Sequence, residues 1–122
     1  MANAQIISEL AANAAADAVC AMLDDGYLEI YSRDGQLLTE ARFGTRAFKS
    51  AKAGVAEANT ISPALVDVAG IAGTFKAKTK QREDVFGGSV GTAGTDLILD
   101  ETKLFQGDEI TITALNYQQR LK

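Results

Sequence analysis

The chain has 122 residues, a net charge of −4 and a pI of about 4.7: enough for one domain, and the wrong sign for a general nucleic-acid binder. It has no His, no Trp and one Cys, which removes Ser-His-Asp and Cys-His pairs, His-ligated zinc and any internal disulfide. No apolar run approaches the roughly 20 residues of a membrane-spanning helix, so no membrane partner is expected.

The first element is an Ala-rich helix over Asn3 to Leu23, free of Gly and Pro, with Asn3 as its N-cap. Ile7, Ala11, Ala14, Ala18 and Met22 recur at spacings of three and four and form one apolar stripe, with Gln5, Glu9, Asn13 and Asp17 on a wetter side. Two roles suit a stripe of such small residues. It packs across the protein's own sheet, or it docks on a neighbouring subunit. Ala18-Val19-Cys20 follows no basic start or apolar middle, so a secretory leader is not expected. Gly26 suits the residue past the helix end.

From Tyr27 the period becomes two. Leu28 and Ile30 alternate with Tyr27, Glu29 and Tyr31, and Asp34-Gly35 signals a hairpin into a strand over Leu37 to Phe43. Residues 44–53 are irregular, anchored by Phe48. Further strands are expected over Val55 to Ile61 and Leu65 to Ala69, with Gly70 and Gly73 bracketing a bend. Thr74 to Lys80 alternates cleanly, Phe75, Ala77 and Thr79 inward and Lys76, Lys78 and Lys80 outward. That basic row reads either as a charged edge strand or as a docking stripe for an acidic surface. Arg42, Arg46, Lys49 and Lys52 add positive charge nearby in sequence.

Asp84 to Leu99, DVFGGSVGTAGTDLIL, reads as strand, glycine-rich turn, strand. Gly87, Gly88, Gly91 and Gly94 are expected to make the turn through positive φ. They do not form a phosphate loop, because Thr95-Asp96 and a strand follow Gly94 where Lys-Ser and a helix would be needed. A loop follows, pinned by Leu104 and Phe105, and then a strand over Asp108 to Tyr117. Asp96, Asp100 and Asp108 could gather at one sheet end, but without the regular spacing of a calcium loop. The fold expected is mainly β, an antiparallel β-sandwich or jelly roll with an N-terminal α-helix. Residues 1–25 form the helix and residues 26–122 the sandwich of a single domain. No catalytic group, cofactor or metal ligand set is expected. An enzyme is not indicated.

Several segments, in order, carry a family likeness. They are Asp25-Gly26-Tyr27-Leu28-Glu29-Ile30-Tyr31, Ala47-Phe48, Ala53-Gly54-Val55-Ala56, Gly73-Thr74-Phe75-Lys76-Ala77, Gly88-Ser89-Val90-Gly91 with Gly94-Thr95-Asp96-Leu97, and Gly107-Asp108-Glu109-Ile110-Thr111-Ile112-Thr113. With the Ala-rich helix before them, they resemble a family of small virion structural proteins of tailed bacteriophages. The chain departs from that pattern at Ser32 to Gln36, where the loop is short, and at Thr74, where an aromatic is usual. The resemblance implies a β-sandwich of the particle, localised to the virion after synthesis in the bacterial host cytoplasm. It implies a capsid decoration or cement protein, a homo-oligomer that contacts the major capsid protein or other virion proteins. A neck, tail or fibre-associated module and a host-glycan-binding module are the alternatives. Under the cement reading, Lys76, Lys78 and Lys80 dock on acidic capsid surface, and Ile7, Ala11, Ala14 and Ala18 supply helix packing.

Overall fold

The computed structural model describes residues 8–118. Its elements are α1 (Glu9–Ala21), β1 (Tyr27–Ser32), β2 (Leu37–Arg42), β3 (Val55–Glu57), β4 (Ala64–Leu65), β5 (Gly70–Lys78), β6 (Asp84–Gly91), β7 (Leu97–Leu99), β8 (Lys103–Leu104), β9 (Glu109–Ile110) and β10 (Ile112–Gln118). The protein is mainly β with one N-terminal helix, as expected, and the arrangement is consistent with a β-sandwich. The large sheet runs β2-β1-β5-β6-β7-β10-β3, with β8 paired to the start of β5, while β4 and β9 form a small second sheet.

Helix α1 begins later than its composition suggests. Ser8 is the N-cap, its Oγ accepting the Ala11 N–H at 3.1 Å. Asn3 lies outside the described residues. The helix lies against β3 and β10 and buries Ala12, Ala16 and Cys20, with Leu23 just past its end. The expected stripe of Ala11, Ala14, Ala18 and Met22 is on the other side, exposed to solvent. On the wetter side, Glu9 and Asp17 are exposed as expected and Gln5 lies outside the described residues, but Asn13 and Asp17 also reach the irregular segment 44–54. Asn13 Oδ1 accepts the Gly54 N–H (2.8 Å) and Asp17 Oδ1 the Ala51 N–H (2.7 Å). Asp24, just past the helix, accepts the Ala47 N–H (2.8 Å). An irregular segment has no ladder to satisfy its backbone, and these side chains take the ladder's place.

The chain enters β1 through Asp25, which has φ 60, while Gly26 gives room rather than a left-handed turn: a Cβ there would run into the Lys78 carbonyl. β1 and β2 pair across the Asp34-Gly35 turn, where Ser32 Oγ accepts the Asp34 and Gln36 N–H groups. β5 is longer than expected. Gly70 is its first residue and Gly73 lies where its register with β1 slips by one residue, and they let Leu38 and Arg33 pack against its backbone. The strand expected over Val55 to Ile61 is only β3, and the one expected over Asp108 to Tyr117 breaks at Thr111 into β9 and β10.

β6 and β7 run parallel, Val90 opposite Leu97 and Gly91 opposite Ile98, so the hairpin expected across 84–99 does not form. Residues 92–96 carry the chain back to the end it left. Asp96 Oδ2 holds that return by accepting from the Ser89 N–H and Oγ, each at 3.2 Å. Of the four glycines expected in a turn, only Gly94 (φ 69) has left-handed backbone. Gly87, Gly88 and Gly91 are strand residues. A Cβ on them would stand 2.7 Å from the Phe75 carbonyl oxygen, 2.5 Å from Asp96 Oδ2 and 2.9 Å from Thr95 Cγ2. At Gly87 the obstacle is backbone and leaves no room for a side chain; at Gly88 and Gly91 the Asp96 and Thr95 side chains would have to give way.

Helix, sheet and the 44–54 segment share one core, which includes Ala16, Cys20, Leu23, Leu28, Ile30, Phe75, Leu97, Leu99 and Leu115. An aromatic chain crosses it from Phe43 to Phe48 (5.9 Å), Phe86 (6.5 Å) and Tyr117 (4.8 Å), with Phe75 edge-on to Phe86 at 5.8 Å. Phe105, expected to pin its loop, is exposed, and Leu104 alone is buried there.

Candidate functional site

The face of β2-β1-β5-β6 turned away from this core carries the densest set of interacting polar side chains. Cross-strand register puts Tyr27, Glu29 and Tyr31 of β1 beside Arg42 and Glu40 of β2 on one side. Lys78, Lys76 and Thr74 of β5 lie on the other. β6 adds Asp84 opposite Lys78, and bare Gly87 opposite Lys76. The turn after β5 adds Arg82. Thr79 Oγ1 accepts the Gln81 and Glu83 N–H groups and so shapes that turn, in which Arg82 has φ 66. Left-handed backbone is unfavourable for a β-carbon residue, and contacts offset it here. Arg82 binds the Glu40 carboxylate through both terminal nitrogens and lies 4.0 Å from the centre of the Tyr27 ring.

Glu29 is the hub. It is 6% exposed although it stands on the outward face, because Lys78, Arg82 and Tyr31 close over it. Lys78 Nζ is 2.9 Å from Glu29 and 3.4 Å from Asp84, and Arg82 reaches Glu29 at 3.9 Å. Tyr31 donates its hydroxyl to Glu29. Burial pushes the Glu29 carboxyl up, but hydrogen bonds from Tyr31 and Lys78 and the charges of Lys78 and Arg82 outweigh it and hold the group below its ordinary value. Burial, reinforced by the hydrogen bond to Glu29, pushes Tyr31 up to about 12. The hydrogen bond to Glu29 raises Lys78, and that to Glu40 raises Arg82.

The basic row is thus only partly a row. β5 is flanked by β1 and β6, so it is not the charged edge strand that its lysines suggested. Lys78 is neutralised within the lattice. Lys76 is exposed, its Nζ 5.4 Å from the Tyr31 ring centre, and Lys80 is exposed in the turn beyond the strand. Arg42 lies 5.0 Å from the Tyr27 ring centre. Among the described residues, Lys76, Lys80 and Arg42 have no carboxylate within ion-pair distance.

A second exposed surface is the outer side of α1, where Leu10 (81% exposed) and Met22 (56%) flank Ala11, Ala14 and Ala18. Ile7, assigned to the same surface, lies outside the described residues. Cys20 is a buried free thiol, and burial, with Asp17 and Asp24 nearby, pushes it up to about 12. Asp96, Asp100 and Asp108 do not converge, Asp96 being bound to Ser89 and Asp108 Oδ2 to the Phe105 N–H at 3.3 Å. Among the described residues, no three His, Cys, Asp or Glu side chains group around a cation position, and no helix is long and apolar enough to cross a membrane.

No family model, curated protein or solved structure matches the chain.

Local sequence reasoning located Lys76 and Lys78 on this face. It missed Glu29 and Asp84 as the partners of Lys78, and Arg82 and Glu40 as members of the same network. The missed signal is the pairing of β1 with both β2 and β5, which a strand's own pattern does not carry.

Proposed function

We propose that this protein is a non-enzymatic structural protein of a bacteriophage virion, a capsid decoration or cement protein that works through surface contact alone. The observation behind the reading is the preorganised face of β2-β1-β5-β6. Tyr and Arg dominate the energetically important positions of protein interfaces, because they bring large contact area together with directional hydrogen bonds. Here Tyr27, Tyr31, Arg42 and Arg82 are held in place by cation–π contacts and ion pairs before any partner arrives, which lowers the ordering cost of binding. Lys76, Arg42 and Lys80 add uncompensated positive charge for an acidic capsid surface. The outer side of α1 gives a separate apolar surface for a second copy of the chain.

The test is reconstitution. Purified protein added to capsids stripped of it should bind saturably at many copies per particle and raise resistance to heat or osmotic rupture. A handful of copies confined to one vertex would replace the cement role with a neck or tail role. Absence of binding to any particle component would overturn the virion reading.

A further inference from the structure

β7 is three residues long and lies between two longer strands. It pairs with β6 only at Val90 and Gly91, and with β10 only from Ile112 to Leu115. Beyond Leu97, residues 84–89 and 116–118 therefore flank an opening with no strand between them. It is a slot of about 420 Å³ lined by Phe86, Gly87, Asp96, Asn116, Tyr117 and Gln118. That size is within the range of small-molecule sites, roughly 300–1,000 Å³.

The chemistry of the lining is selective. Phe86 and Tyr117, one from each wall, meet at 4.8 Å on the core side. Strand alternation puts Asn116 and Gln118 together on the opposite side, at the rim, where Gly87 offers only backbone. Asp96 closes one end. Its carbonyl accepts the Asn116 N–H at 3.1 Å and its Oδ2 is bound to Ser89, which fixes the carboxylate while Oδ1 has no hydrogen bond among the described residues. The side-chain amides of Asn116 and Gln118 are likewise without a hydrogen bond among those residues, and all three side chains are exposed.

We propose that this slot is a binding site for a neutral saccharide. A pyranose ring has a C–H face that packs on aromatic rings and an edge of vicinal hydroxyls. A fixed carboxylate accepts from such hydroxyls, and side-chain amides both donate and accept. Among the described residues no cation lines the slot and one carboxylate does, so phosphorylated sugars, uronic acids and sialic acids are disfavoured. An extended peptide is the poorer fit, because strand addition needs pockets for alternate apolar side chains and the rim here is polar. The slot borders the β2-β1-β5-β6 face at Gly87 but uses none of that face's charged side chains, so it stands whether or not the protein decorates a capsid.

The experiment is amide NMR of the full chain, titrated with glucose, galactose, N-acetylglucosamine, rhamnose and, as the disfavoured probe, glucuronic acid. At least one neutral sugar should give saturable shifts at Gly87, Asp96, Asn116 and Gln118, with a dissociation constant on the order of 1 mM. Asn116→Ala and Gln118→Ala change exposed side chains, and each should weaken binding by about tenfold, the effect of losing one hydrogen bond. Their spectra outside the slot report that the fold is kept, and either variant alone suffices. Saturable shifts elsewhere only, unchanged affinity in the variants, preference for glucuronic acid, or no shift with any sugar would each overturn the site. Shifts from extended tetrapeptides in place of sugars would reassign the slot to strand addition.

Discussion

Glu29 gives the outward sheet face its rigidity and its response to pH. A carboxyl held below its ordinary value in the fold binds its proton less tightly there than in the unfolded chain. Its stabilising contribution is therefore complete above the ordinary value of 4.5 and is lost as pH falls through the lower native value. Tyr31 and Lys78 work at the other end. Both are raised, so their contributions are complete below the ordinary values of 10.0 and 10.5 and are lost as pH rises through the native ones, about 12 for Tyr31. Replacing Glu29 with Gln leaves Lys78 only the more exposed Asp84 and should cost about 1–3 kcal/mol at neutral pH. Urea melts of both proteins across pH should show that difference shrinking on the acid side. A gap that does not change with pH would make Glu29 a packing residue. The strand's alternation placed Glu29 on the outer face correctly. Its burial was not legible, because the cover comes from Lys78 and Arg82, about fifty residues further along the chain.

At the scale of elements, α1 shows how a correct period can point the wrong way. The helix itself follows from its alanines, and a stripe at three and four is real. However, an Ala-rich helix is mildly apolar on several sides, so periodicity alone does not choose the buried one. The choice follows from Asn13, Asp17 and Asp24, which stay within reach of the Gly54, Ala51 and Ala47 N–H groups only if Ala12, Ala16 and Cys20 turn inward. Asp17→Ala removes the acceptor of the buried Ala51 amide and should destabilise by about 1–3 kcal/mol, read as a lowered Tm. Asp17→Asn keeps an acceptor oxygen and should recover most of it. If Asn behaves like Ala, charge rather than the hydrogen bond holds the segment. The glycine stretch of β6 misled for a related reason. Glycine marks either a turn or a close approach, and only the neighbours Phe75, Thr95 and Asp96 decide between them.

Across the whole molecule, positive charge is concentrated against the grain of an acidic chain. The net charge is −4, yet Arg42, Lys76 and Lys80 lie on or beside one sheet face without carboxylate partners among the described residues. If this face meets acidic capsid, long-range attraction speeds encounter and fades with salt, while Tyr27, Tyr31 and Arg82 set how long the contact lasts. Lys76→Gln with Arg42→Gln removes two of these three charges, leaves the Glu29 lattice intact and avoids setting a new carboxylate opposite Glu29. Each exposed charge pair contributes roughly 0.2–1 kcal/mol, so losing two should weaken particle binding by about twofold to about thirtyfold at low salt and by little at high salt. Binding measured against ionic strength should give a shallower slope for the double variant. Equal slopes for the two proteins would move the capsid contact off the sheet. The outward side of α1, apolar from Leu10 to Met22 and indifferent to salt, would then be the surface that meets the particle.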